Sequence, residues 1–272
     1  MATNIIIVGA LGRMGIEIAN VINSVSNDKD TRLVGCVEDA NNAKIGIEYS
    51  SYIGANCGSG VKVVPSIEAV NVKDAVVIDF SSVESTRNNL SRAANLKLPM
   101  VIGTTGLDKS DYELAERASK TVPILISSNM SLGVNLLFSL TELVTKKLGG
   151  NFDVEIIEAH HKFKKDSPSG TARTLGEVAA KALGRTYDEA VVNGREGMAA
   201  NTRDPFEIGM HAVRGGDIVG DHTVLFAGMG ERVELRHMAH SRSVFARGAV
   251  AAAKWISSKG PGLYSMRDVL GL

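Results

Sequence analysis

Short apolar runs alternate with amphipathic stretches through the first half of the chain. Ile5-Ile6-Ile7-Val8, Leu33-Val34-Gly35-Cys36-Val37, Val76-Val77-Ile78, Met100-Val101-Ile102 and Ile124-Leu125-Ile126 are continuous segments of strand length. That is the pattern of strands buried on both faces. Between the first two, Met14, Ile18, Val21, Ile22 and Val25 recur at helical spacing. Val83 to Leu96 and Asp108 to Ser119 supply further crossover helices, with Asp108 placed to cap the second. Strands alternating with helices predict an α/β fold with a doubly wound parallel sheet and right-handed crossovers.

Beyond about residue 130 the pattern changes. Leu132, Leu136, Leu140, Leu143, Val144 and Leu148 mark an amphipathic helix closed by Gly149-Gly150. Asp153 to Ala159 alternates like a strand, and Thr171 to Leu183 is helical again. Pro205 to His240 reads mostly as short strands, whose spacing favours antiparallel pairing. Val244 to Ile256 is an alanine-rich helix. A second, α+β domain is therefore expected from near residue 130.

Composition narrows the function. A length of 272 residues suits one large domain or two modest ones. Lys plus Arg number 30 and Asp plus Glu 30, so no cationic excess exists to hold nucleic acid. Cys36 and Cys57 are too few for a disulfide framework, and no C-x-x-C or H-E-x-x-H spacing occurs, so no metal is expected. No apolar run approaches the ~18 residues of a membrane span. The opening MATNIIIVGALGRMG lacks a cationic n-region and runs straight into glycines. The expectation is a soluble, cytoplasmic chain whose charge specificity is local.

Two segments concentrate chemistry. Gly9-Ala10-Leu11-Gly12-Arg13-Met14-Gly15 follows the first strand and opens the first helix, where orphan N–H groups and the helix dipole favour phosphate. Its spacing is G-x-x-G-x-x-G rather than G-x-G-x-x-G, which by itself also suits a purely structural turn. Glu38 at the end of the second strand adds an acid suited to ribose hydroxyls, and the combination points to a nicotinamide-type dinucleotide. Small and hydroxyl residues also close the later strands: Phe80-Ser81-Ser82, Gly103-Thr104-Thr105-Gly106 and Ser127-Ser128-Asn129.

The second segment runs from Glu155 to Ala172 and includes His160-His161-Lys162-Phe163-Lys164-Lys165, then Pro168-Ser169-Gly170-Thr171 at a helix start. Cations, hydroxyls and bare helix N–H groups together suit a small carboxylate, and a histidine or lysine can serve as proton donor. A solvated basic loop before a capped helix would account for the same residues. Adjacent histidines rarely point at one metal ion. His211, His222, His237 and His240 are scattered and read as structural.

These motifs, Gly-x-x-Gly-Arg-Met-Gly, Glu-Ala-His-His-x-x-Lys-x-Asp-x-Pro-Ser-Gly-Thr-Ala and Gly-Asp-Ile-Val-Gly-Asp-His-Thr at 216–223, resemble the 4-hydroxy-tetrahydrodipicolinate reductase family of the diaminopimelate route to lysine. The resemblance runs from the first strand to Met266-Arg267-Asp268-Val269-Leu270. It implies a Rossmann-like domain over residues 1–130, joined by 241–272, and a substrate-binding and tetramerisation domain over 131–240. It implies reduction of a dicarboxylate by NADH or NADPH in a homotetramer, with His160 as proton donor/acceptor and Lys164 as a second donor that meets a carboxylate. His161, Ser169, Gly170 and Thr171 correspond to substrate-binding positions. Gly9, Ala10, Leu11, Gly12, Arg13, Met14, Glu38, Gly103, Thr104, Thr105, Ser127, Ser128, Asn129 and Met130 correspond to cofactor-binding ones.

The chain departs from the family pattern twice. Many members carry an arginine after the ribose-binding acid, where this chain has Asp39. Ser82-Val83 stands where Arg-Pro is common. Two acids beside the ribose favour NADH, with Arg13 offsetting part of that preference. Two other readings compete: a non-catalytic NAD-binding regulator, and an aspartate- or homoserine-type dehydrogenase. Both explain the glycine loop, and neither explains the central motif.

Overall fold

The computed structural model describes residues 2–24, 30–54, 59–198 and 202–272. Val25 and Cys57 lie outside these residues. The chain forms two compact units, residues 1–132 with 243–272, and residues 133–242.

In the first unit the strands are β1 (Thr3–Val8), β2 (Thr31–Val37), β3 (Val63–Val64), β4 (Val76–Asp79), β5 (Met100–Ile102) and β6 (Pro123–Ile126). The helices are α1 (Arg13–Ser24), α2 (Tyr49–Ile53), α3 (Val83–Leu96) and α4 (Lys109–Ser119). The second unit holds most of α5 (Leu132–Leu148), then β7 (Asp153–His160), α6 (Gly170–Ala182), α7 (Tyr187–Ala190), β8 (Val191–Asn193), β9 (Ile208–Arg214), β10 (Gly220–Gly228) and β11 (Glu231–Ala239). The chain closes with α8 (Ser243–Ile256), β12 (Gly262–Tyr264) and α9 (Met266–Leu270) in the first unit.

The first unit is a Rossmann-like α/β layer. Its parallel sheet runs β12-β6-β5-β4-β1-β2-β3. Ile5 and Ile7 pack with Ile18, Val21, Ala249 and Ala253 on one face. Ile6 and Val8 pack with Leu90, Ala93 and Ala115 on the other. Burial on both faces is why these strands read as unbroken apolar runs. Asp108 caps α4 in a reciprocal box with Asp111. Register sets the strand ends level: Val8 lies beside Val37 and Asp79, Asp79 beside Ile102, and Ile102 beside Ile126. The residues that follow each strand therefore gather along one edge of the sheet.

The second unit is a mixed sheet, β11-β10-β7-β9-β8. The expected antiparallel pairing holds for β7-β10 and β10-β11 but fails for β7-β9 and β8-β9, which are parallel. α6 carries the chain back before β8, so β8 runs in the direction of β7, and β9 enters between them in that same direction. Val154, Ile156, Val224 and Phe226 pack with Leu175 and Ala179 of α6 and Leu137 of α5. The opposite face leaves Ile157, Val213 and Met238 exposed. Among the described residues no helix is long and apolar enough to cross a membrane.

Candidate active site

The strand order of the first unit reverses beside β1, which has β4 on one side and β2 on the other. Ligands of open parallel sheets bind outside the strand ends at such a point. Gly9 adopts φ +74°, and a Cβ there would stand 2.5 Å from the Phe80 carbonyl oxygen, so only glycine fits. Gly15 seats α1 on the turn, where a Cβ would stand 2.3 Å from the Gly9 carbonyl oxygen. Gly15→Ala is therefore expected to lift α1, destabilise the fold by about 1–3 kcal/mol and weaken dinucleotide binding. A melting curve and a cofactor titration check this, and wild-type values in both would contradict the packing role.

Around the turn, Leu11 N–H donates to Glu38 Oε2 at 3.1 Å, and the buried Tyr49 hydroxyl donates to the Ala10 carbonyl at 2.7 Å. The first turn of α1 carries no acidic side chain, so its positive end stays available to an anion. A cavity of about 570 Å³ opens here, lined by Gly9, Gly12, Glu38, Asp39, Ser81 and Ser82 among others. These features fit a dinucleotide. Close backbone approach, an uncompensated helix N-terminus and an acid at the second strand end are what a pyrophosphate and a ribose require.

The neighbouring strand ends are braced from below. Asp79 is fully buried and accepts from Ser81 N–H at 3.0 Å, Ser81 Oγ at 2.5 Å and Asn89 Nδ2 at 3.2 Å. Burial pushes its carboxyl pKa up. Thr104 Oγ1 accepts from Ser81 N–H at 3.2 Å, which ties the ends of β4 and β5 together. The Phe80 ring lies against Gly103, where a Cβ would meet it at 2.2 Å. Ala10 and Met130 are buried in the core, so neither presents its side chain to a ligand. Arg13, Thr105 and Ser128 are exposed, and Met14 is half-buried. Ser127 Oγ donates to the Asn129 carbonyl at 2.7 Å.

In the second unit the centre is Glu158, fully buried on β7. Residues two apart share a strand face, which places Glu158 and His160 together. Arg214, directly across from His160 on β9, donates to both Glu158 oxygens at 2.8 Å. His160 Nδ1 is 2.6 Å from Glu158 Oε2, and Ser169 N–H donates to Oε1 at 3.0 Å. Burial works to raise the Glu158 pKa. Hydrogen bonds from Arg214, His160 and the Ser169 amide outweigh it and hold the carboxyl below its ordinary range. Burial in turn pushes the His160 pKa down against the pull of Glu158. The neutral ring gives its Nδ1 proton to Glu158 and leaves Nε2 bare. Gly220 makes room for that nitrogen, since a Cβ there would lie 3.0 Å from Nε2.

Lys164 Nζ pairs with Asp166 Oδ2 at 2.8 Å. Gly215 N–H donates to the His160 carbonyl at 2.9 Å, and Lys162 N–H to Gly216 at 3.2 Å, which shapes the loop. His161 Nδ1 is buried without a hydrogen-bond partner among the described residues. Ser169 caps α6 by accepting from Ala172 N–H at 3.2 Å. Gly170 and Thr171 follow in its first turn, which has no acidic side chain. One helix-start donor, the Ser169 amide, is already held by Glu158. His160, Ser169 and the loop carrying Lys164 are thus tied to one buried carboxylate, and Arg214 also donates to the Asp166 carbonyl at 2.7 Å.

Several contributors carried no assigned role in the sequence reading. Glu158 had a legible signal, its two-residue spacing from His160. Arg214 and Tyr49 did not, because each acts through a distant partner. His222 was expected to be structural, and its Nε2 lies 3.0 Å from Ser169 Oγ.

Comparison with known proteins covers the whole chain. Residues 3–130 match the family model for the dihydrodipicolinate reductase N-terminus, and residues 133–270 match that for its C-terminus. A 4-hydroxy-tetrahydrodipicolinate reductase from Thiobacillus denitrificans is 44% identical over 272 residues, covering 100% of both chains. Another from Chromobacterium violaceum is 46% identical, also over 100% of both. A solved dihydrodipicolinate reductase from Paenisporosarcina sp. TG-14, with dipicolinate bound, superposes with a TM-score of 0.75 at 23% identity. That match covers 97% of this chain and 98% of the other, and it is a likeness of fold.

Proposed function

This chain belongs to the dihydrodipicolinate reductase family, and we propose that it reduces 4-hydroxy-tetrahydrodipicolinate to tetrahydrodipicolinate in the diaminopimelate route to lysine. It is an NAD(P)H-dependent oxidoreductase. The observation that carries the reading is the buried Glu158, which ties a poised histidine to a helix start able to hold a carboxylate. A non-catalytic regulator has no use for that arrangement, and full-length identity to named reductases disfavours an aspartate- or homoserine-type dehydrogenase.

The substrate carries two carboxylates. The α6 start, with Ser169, Gly170 and Thr171, holds one. Lys164 and His161 meet the other. Loss of the substrate hydroxyl as water leaves a conjugated ring, and a nicotinamide held by the glycine loop and Glu38 would supply a hydride to ring C4. The adjacent carbon then carries enamine-like charge and takes up a proton. Lys164 brings an ammonium to that step. His160, its Nδ1–H fixed by Glu158, offers Nε2 as the site where a proton is accepted or given. Negative charge on the bound substrate favours the imidazolium form.

Glu38 and Asp39 set the cofactor preference. An NADPH 2′-phosphate carries close to two negative charges, and a like-charge pair about 4 Å apart costs ~1 kcal/mol even in bulk water. NADH is therefore expected to be favoured by roughly fivefold to tenfold in kcat/KM. One assay tests both readings. Substrate made freshly from pyruvate and aspartate semialdehyde by the preceding synthase is added with NADH or with NADPH. Oxidation of neither cofactor would overturn the reductase reading, and a clear NADPH preference would overturn the cofactor reading alone.

The assembly is a cytoplasmic homotetramer formed through the sheet of the second unit. Ile157, Val213 and Met238, exposed on the sheet face opposite α5 and α6, support this reading.

A further inference from the structure

His222 sits on β10 with only 4% of its surface exposed. It pairs with Glu158 across the β7-β10 ladder, so its ring falls on the face that carries Glu158 and His160. The His160 and His222 rings meet edge to face with centroids 5.1 Å apart. Nε2 of His222 is 3.0 Å from Ser169 Oγ, and Nδ1 is buried without a partner among the described residues. Burial drives the His222 pKa down to about 3. The ring is therefore neutral at working pH and owns a single N–H.

That proton has two possible homes, with different consequences. On Nδ1 it would be a buried donor with no acceptor, and Nε2 would take the Ser169 hydroxyl proton for itself. The serine would then turn lone pairs toward any ligand. On Nε2 it donates to Ser169 Oγ, and the orphan left at Nδ1 is only a lone pair. Buried N–H groups without partners are the rarer case. In this second arrangement Ser169 Oγ accepts from both His222 and Ala172 N–H. With both lone pairs engaged, the hydroxyl can only donate. A hydroxyl restricted to donating suits an anion.

We propose that His222 is a positioning residue: its Nε2–H holds the Ser169 hydroxyl as an obligate donor toward a substrate carboxylate. The assignment rests on the reading that the α6 start binds that carboxylate. The bound anion completes the arrangement, because its acceptance of the Ser169 proton locks the tautomer of a ring it never touches.

The test is a double-mutant cycle read with substrate and with pyridine-2,6-dicarboxylate as competitor. His222→Phe keeps a ring and removes the donor. It is expected to raise the substrate KM and the inhibition constant about tenfold, with kcat within about threefold and the KM for NADH unchanged. Ser169→Ala should do the same, and the double variant should be no worse than either single one. His222→Gln, which keeps a neutral N–H donor, should recover most of the affinity. Additive losses, or His222→Gln no better than His222→Phe, would overturn the assignment. Weakened binding in Ser169→Ala with normal binding in His222→Phe would overturn it while sparing the carboxylate site. Unchanged binding in Ser169→Ala would overturn both. Nitrogen NMR of the histidine rings in the unaltered protein gives a reading independent of variant folding. The Nε2–H tautomer of His222 is expected with pyridine-2,6-dicarboxylate bound, and the Nδ1–H tautomer would refute the proposal.

Discussion

Replacing His160 by alanine is expected to lower kcat by about 10²–10⁴, the span that general acid–base catalysis supplies. Its ring is not a free imidazole. Glu158 fixes Nδ1 at 2.6 Å, so one nitrogen is committed and only Nε2 remains for chemistry. Loss of the ring removes that nitrogen but leaves the glycine loop and Glu38 untouched, so NADH affinity should stay near wild type. Lys164→Ala should lower kcat by a similar factor and also raise the substrate KM, since a carboxylate loses its cation. Steady-state kinetics against both substrates separates the two cases. Near-wild-type kcat in both folded variants would mean that the 160–165 loop is only a solvated run of charge.

How much of this was legible in the chain differs between the two units, and the reason is distance along the sequence. Ile5 to Val8 and Val76 to Ile78 announced a parallel sheet because helices cover both faces, which forces unbroken apolar runs. Val83 and Leu96 bound their helix as the pattern indicated. Gly9 and Glu38 were legible as partners because register levels the ends of β1 and β2. Glu158 and His160 share a face by local periodicity alone. Arg214 and His222 are different. Each lies more than fifty residues from its partner, and each reaches it through a strand pairing. Periodicity reports which way a side chain alternates, but not which strand lies alongside. The parallel entry of β9 beside β7 was the element that short spacings misrepresented, and Arg214 arrives on that strand.

Arg214→Leu should produce the largest loss of stability in the second unit. It leaves Glu158 fully buried without the cation that contacts both its oxygens. Breaking a buried pair from one side costs about 3–5 kcal/mol, because the remaining charge has neither water nor partner. The pH dependence gives the sign. In the unaltered protein the Glu158 pKa lies below its ordinary 4.5. The stability this contributes is full above 4.5 and fades as pH falls through the folded value. In Arg214→Leu, burial is opposed only by His160 and the Ser169 amide, so the folded pKa should rise above 4.5. Protonation then relieves the buried charge, and the variant loses stability as pH climbs through that raised value. The gap between the two proteins should accordingly be widest near neutral pH and shrink on acidification. Adding Glu158→Gln to Arg214→Leu should recover part of the loss at neutral pH, since a neutral amide needs no cation. Thermal melts of the three proteins from pH 4 to pH 8 check the sequence of effects. A melting temperature for Arg214→Leu that matches the unaltered protein across this range would show that Glu158 does not depend on Arg214.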